Sequence, residues 1–213
     1  MTGRVLGLML LLVVAGWGVG QVVRWAMPVG RDVSGDVAAR AVLADTGEPR
    51  EVARDADLTM VVFTDYRCPA CRASAPALEA AVAADGRVTV AYRDWPIFGD
   101  ASVAAARVAL AVEPARYGAL HRLLMRERRP LTPDVLFDLV ARVGDDPARV
   151  RAVIARNSAA IDARLAANAR AAAALGLPGT PAWLIGGVLV VGALDEAGFA
   201  RAFASARRHA RLK

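Results

Sequence analysis

The segment Thr59–Thr64, TMVVFT, constrains this chain most. It is a short apolar, β-branched run of the buried-strand type, followed by a helix-forming stretch from Pro69 to about Ala84 and a second apolar run from Val88 to Tyr92. Strand, helix and strand at this spacing form a βαβ unit, which implies a parallel pair with a right-handed crossover. After Arg93-Asp94-Trp95-Pro96 the pattern is helical as far as Gly176. Ser102 suits the cap of a helix running toward Val112, and Pro114, Pro133 and Pro147 suit first helical turns. Thr132 and Asp146 are the caps ahead of the last two, and Gly144 and Gly176 suit helix ends. Leu136, Leu139, Val140 and Val143 fall on one apolar face. Strand character returns at Ala182 to Ile185, Gly186-Gly187 is a hairpin signal before Val188 to Val191, and a last helix starts at Asp195. The expected order is β-α-β, a helical block, then β-β-α.

Composition supports one ordinary domain resting on its apolar core: 213 residues, 56% hydrophobic and 23% charged, with two cysteines that cannot supply a disulfide framework. The net charge of +6 rests on arginine, Lys213 being the only lysine, and no basic motif is interleaved with aromatics. Nucleic acid is therefore not an expected partner. Arg201, Arg207, Arg208, Arg211 and Lys213 make a basic C-terminal helix, expected to be a solvated face.

Val5 to Val23 is apolar apart from Gln21 and is bracketed by Arg4 and Arg24. That is long enough to span a bilayer, and longer than the apolar core of about 7 to 15 residues usual in a cleaved signal peptide, the competing reading. Residues 1–24 are expected to be a transmembrane anchor or signal segment. Residues 25–56, broken by Pro28, Gly30, Gly35, Gly47 and Pro49, read as a polar tether, and residues 57–213 as the folded domain.

The chemistry resides in Cys68-Pro69-Ala70-Cys71. Three-residue spacing puts both sulfurs on one helical face at a helix start, where unpaired N–H groups and the macrodipole favour a thiolate at Cys68. Pro69 fits the first helical position, where its missing N–H costs nothing. Arg67 and Arg72 flank the pair, and Asp65 would oppose the thiolate or help move a proton. Zinc would need a second ligand pair, and His121 and His209 are isolated from the cysteines and from each other. A loop this short suits disulfide exchange better than static cross-linking.

FTDYRCPAC, Phe63 to Cys71, resembles the thioredoxin fold and, more closely, the DsbA-like family of thiol-disulfide oxidoreductases. YRDWPIFGDASVAAARVAL, Tyr92 to Leu110, resembles the family's entry into its helical insertion, and LGLPGTPAWLIGG, Leu175 to Gly187, its cis-proline loop. The resemblance covers Asp57 to the C-terminus. It implies an α/β thioredoxin fold with an inserted helical domain at about 98–176, and an N-terminal export or anchoring segment.

It also implies Cys68 as the exposed nucleophile, Cys71 as its more buried partner and a cis bond at Thr180-Pro181. Pro181 would face the disulfide, and Thr180, Pro69 and Ala70 would meet substrate. No metal or cofactor is implied beyond the redox-active disulfide. Cysteine-containing exported proteins would be the substrates, and a membrane redox partner would recycle the enzyme. Strongly oxidising members carry histidine where this chain has Ala70, so a less oxidising couple is expected. A reductase or isomerase kept reduced by a membrane partner, and a non-catalytic binding module, are the alternatives. Trp95 and Trp183 are expected in the core or along a substrate groove.

Overall fold

The computed structural model describes residues 29–211, together with 9, 11–13, 15 and 16. The expected anchor, residues 1–24, otherwise lies outside the described residues, and among those described no helix is long and apolar enough to cross a membrane.

In chain order the elements are β1 (Arg31–Asp32), α1 (Val37–Ala44), β2 (Arg50–Glu51), β3 (Leu58–Thr64), α2 (Pro69–Asp85) and β4 (Val88–Asp94), then the helices α3 (Asp100–Ala111), α4 (Tyr117–Arg126), α5 (Pro133–Arg142) and α6 (Pro147–Ala174). β5 (Ala182–Ile185), β6 (Val188–Val191) and α7 (Glu196–Arg211) complete the chain. The strands form one sheet in the order β1-β6-β5-β3-β4-β2. β3 and β4 pair in parallel from Leu58↔Val88 to Thr64↔Asp94, β5 runs antiparallel to β3, and β6 antiparallel to β5.

Alternation along β3 divides the core into two layers. Met60 and Val62 point to the side filled by α2, α7 and the helical block, with Leu78, Phe199, Leu120 and Leu139 among their cluster. Val61 and Phe63 point to the other side, where Ala39 and Val42 of α1 and Ala172 near the end of α6 meet Leu184 and Leu189. Gly186, at φ +53°, makes the tight turn between β5 and β6 that a β-carbon would disfavour.

Residues 29–56 are not a free tether. β1 pairs antiparallel with β6 and β2 with β4, so this segment caps both edges of the sheet, and α1 covers its second face. Asp36 caps α1 by accepting the Ala38 N–H at 2.7 Å. The buried Arg93 holds the following loop through Asp45 at 2.7 Å and Glu48 at 3.3 Å. Two-residue edge strands and an eight-residue helix carry little periodic signal; only the tertiary contacts reveal them.

The helical punctuation is partly rearranged. Thr132 and Asp146 cap α5 and α6, accepting from Val135 and Ala148 N–H groups. Ser102 is not a cap: α3 begins two residues earlier, after Gly99, whose φ of +86° turns the chain, and the Ser102 hydroxyl points into the site described below. The long α6 is kinked at Asn157. Pro76 lies inside α2 on its solvent side without ending the helix. The basic face of α7 is partly committed, since Arg207 pairs with Asp57 and Asp85, each at 2.6 Å.

Candidate redox site

β3 ends at Thr64, and the chain turns sharply into α2. The Cys68 N–H donates to the Asp65 carbonyl at 3.2 Å, and the Arg67 N–H to the Asp65 carboxylate at 2.7 Å. This double turn makes Cys68 the N-cap residue of α2, with Pro69 in the first helical turn. The Cys71 N–H donates to Cys68 Sγ at 3.3 Å, so one of the helix's unpaired donors is satisfied by sulfur. Both cysteines are free thiols.

The Thr180–Pro181 peptide bond is cis. The Thr180 carbonyl lies 3.2 Å from Cys68 Sγ, and the thiol donates to it. Thr180, Pro181 and both cysteines thus meet at one place, with Ala70 half-buried and Pro69 exposed at its edge. Cys68 was expected to be exposed; it is 2% exposed, as is Cys71. The Thr180 turn closing over its sulfur is the physical reason. Burial pushes the Cys71 thiol up to about 12.

Neither flanking arginine is free for the sulfur. Arg67 donates to the Phe98 carbonyl at 3.2 Å, and Arg72 to the Glu127 carbonyl. Asp65 is 1% exposed and surrounded by donors: besides Arg67, its carboxylate accepts the Ile97 N–H at 2.6 Å, the Phe98 N–H at 3.0 Å and the Ser102 hydroxyl at 2.7 Å. Trp183 belongs to the core, its indole N–H donating to the Gly192 carbonyl at 2.8 Å. Trp95 packs partly buried against the second core layer.

Sequence reasoning missed a buried polar chain behind Cys68. His121 Nδ1 lies 3.3 Å from the Tyr66 hydroxyl, which lies 3.2 Å from the Tyr117 hydroxyl, which donates to the Asp94 carboxylate at 3.0 Å. Burial raises Asp94 to about 7 and lowers His121 to about 3. The four residues come from three segments, so no local motif marks them. His209, on α7, is half-exposed, its Nδ1 2.8 Å from the Ser205 carbonyl. Among the described residues no group of three or more His, Cys, Asp or Glu is arranged to hold a metal ion.

The family model of the DSBA-like thioredoxin domain matches residues 59–204. Among solved structures, a thioredoxin-like oxidoreductase from Silicibacter pomeroyi is similar at 29% identity and a TM-score of 0.72, over 81% of this chain and 97% of that one. The thiol-disulfide exchange protein alpha-DsbA2 from Wolbachia pipientis is similar at 25% identity and a TM-score of 0.71, over 84% and 97%. The catalytic domain of Proteus mirabilis ScsC matches at 27% identity and 0.71, over 82% and 97%. Among curated proteins, the Na(+)/H(+) antiporter NhaA 3 of Salinispora tropica is 28% identical over 163 residues, which is 75% of this chain and 25% of that protein. The chain thus spans about a quarter of the length of the curated relative it matches.

Proposed function

The chain belongs to the DsbA-like thioredoxin domain family, whose fold supports thiol-disulfide exchange, and from that premise we propose that it donates a Cys68–Cys71 disulfide to exported proteins. A substrate thiolate attacks Cys68 Sγ and forms a mixed disulfide, while the Cys68–Cys71 bond breaks and its electron pair leaves on the Cys71 sulfur. That sulfur takes up a proton, the form that its burial favours. A second substrate thiolate attacks the substrate sulfur of the mixed disulfide and expels Cys68. Substrate is oxidised by two electrons, and the enzyme is left as the dithiol.

The observation that carries this reading is the placement of Cys68 Sγ at the start of α2, 3.3 Å from the Cys71 N–H. Negative charge on the departing sulfur is favoured there, which makes Cys68 the better leaving group and stabilises the reduced enzyme. The Thr180 carbonyl beside it offers the acceptor an extended substrate strand needs, and substrate pairing would displace the thiol that now donates to it. Ala70 favours the opposite direction, a reductase or isomerase held reduced by a membrane partner, because it supplies no imidazole beside Cys68.

Exchange of this kind operates where disulfides persist, so the proposed location of the domain is the extracytoplasmic side, tethered through residues 1–24 and reoxidised by a membrane redox partner. Cys68→Ser is expected to abolish oxidation of a reduced, unfolded substrate, and Cys71→Ser to accumulate substrate disulfide-linked to Cys68. Oxidation retained by Cys68→Ser would overturn the mechanism. Recovery of the full-length chain in the membrane fraction, resistant to high salt, supports the tether; recovery in the soluble fraction rejects it.

A further inference from the structure

Exchange chemistry uses the two cysteines and the Thr180–Pro181 turn, but gives no role to Asp65, a carboxylate 1% exposed three residues before Cys68. A carboxylate is kept this dry only where hydrogen bonds replace its lost water. Four donors do so: Oδ1 accepts from the Arg67 N–H and the Ser102 hydroxyl, both at 2.7 Å, and Oδ2 from the Ile97 N–H at 2.6 Å and the Phe98 N–H at 3.0 Å. These donors belong to three segments: the turn carrying Cys68, the loop after β4, and the first turn of α3.

The loop held in this way forms a rim beside the reactive pair. Ile97 and Phe98 are 44% and 42% exposed, large apolar side chains that the described residues leave partly uncovered. The Arg67 guanidinium, next to Cys68, donates to the Phe98 carbonyl at 3.2 Å. On the opposite side, a β-carbon at Gly179, next to Thr180, would lie 3.8 Å from Ile97 Cδ1. The rim therefore adjoins both halves of the exchange site, and its backbone is held there by the Asp65 carboxylate at two N–H groups and by the Arg67 guanidinium at one carbonyl.

Resting on the exchange reading above, we propose that Asp65 is a positioning residue that acts through Ile97 and Phe98, pinning them beside Cys68 so that they select a substrate cysteine neighboured by a large apolar side chain. A segment laid along the Thr180 backbone brings the residues next to its cysteine past this rim, and apolar contact there removes exposed surface on both partners. Asn in place of Asp65 presents an NH2 group where donors converge, so in either amide orientation the link that joins the rim to the Cys68 turn is broken.

The test uses the full-length chain and two peptide dithiols, identical except that the reactive cysteine is flanked by Phe in one and by Gly in the other. The readout is the ratio of their kcat/KM values, which a general loss of stability does not change. Wild type should prefer the Phe peptide by about tenfold, through KM. Asp65→Asn and the double variant Ile97→Ala/Phe98→Ala should each bring the ratio close to one, and combining them should lower it no further, the signature of residues acting as one unit. Ser102→Ala removes a single donor and should give a smaller fall in the same ratio, which preserves the test if Asp65→Asn does not fold. An unselective wild type, an unchanged ratio in Asp65→Asn, or additive losses would overturn the positioning role. A wild type that oxidises neither peptide would instead overturn the exchange reading on which it rests.

Discussion

The turn that carries Cys68 and the N-terminal segment 29–56 are both held against the sheet, but by different means. Around Cys68 the turn is fixed by directed hydrogen bonds: to the Asp65 carbonyl and carboxylate, from the Cys71 N–H and to the Thr180 carbonyl. In the N-terminal segment the attachment is distributed: two short edge strands, the apolar side of α1, and ion pairs to Arg93. The first region places the Cys68 sulfur and the second closes the fold. Chemistry and stability should accordingly be separable by mutation.

The largest effect expected is Cys68→Ser, which should remove exchange entirely while changing the unfolding free energy by less than about 0.5 kcal/mol, since serine retains a small N-capping group at the start of α2. An unfolded Cys68→Ser protein would break the separation. In the other direction, Val42→Asp places a carboxylate in the apolar layer with Val61, Phe63 and Leu184, where Val42 is 5% exposed. A loss of about 3 kcal/mol is expected in urea unfolding, with the exchange rate of the remaining folded protein unchanged. A loss under about 0.5 kcal/mol would mean that α1 detaches readily and that the segment behaves as a tether after all.

The buried chain behind Cys68 sharpens the comparison through pH. Asp94 has its folded pKa raised to about 7, above the unfolded value of about 3.9, so between those values the folded state binds more protons. The stability contributed by its neutral form is complete below about pH 4 and is lost as pH rises through 7. His121 has the opposite sign: lowered to about 3, it contributes stability that is complete above about pH 6.5 and is lost as pH falls toward 3. Asp94→Asn should therefore gain on wild type by about 2 kcal/mol between pH 5 and pH 8 in urea midpoints. A constant difference across that range would show that Asp94 does not titrate there. The smallest change expected is Thr132→Ala, which removes the cap of α5 remote from the cysteines. It should cost about 1 kcal/mol and leave exchange untouched.

Which parts of the molecule were legible follows from the range of the interactions. β3, α2 and β4 announce themselves because an apolar run alternates with a helical stretch, and Cys68 and Cys71 because their spacing and Pro69 act locally. Thr180 and Pro181 came through family resemblance, since nothing in their neighbours specifies that they face a cysteine more than a hundred residues earlier. The burial of Cys68, the four-fold clasp on Asp65 and the chain from His121 to Asp94 were illegible for the same reason: each joins residues from segments that meet only in the folded state. Residues 25–56 read as a polar tether because edge strands of two residues, β1 and β2, have no period to detect.

The central claim is that the Cys68–Cys71 disulfide passes its oxidising equivalents outward to substrate. The most direct measurement is the equilibrium reduction potential of the Cys68/Cys71 pair in the full-length chain, titrated against glutathione and read by alkylation and mass. The account predicts a value near or above about −180 mV, short of the strongest oxidants near −120 mV because Ala70 replaces an imidazole. A value near about −270 mV would contradict it and make the protein a reductant that needs a continuous supply of electrons.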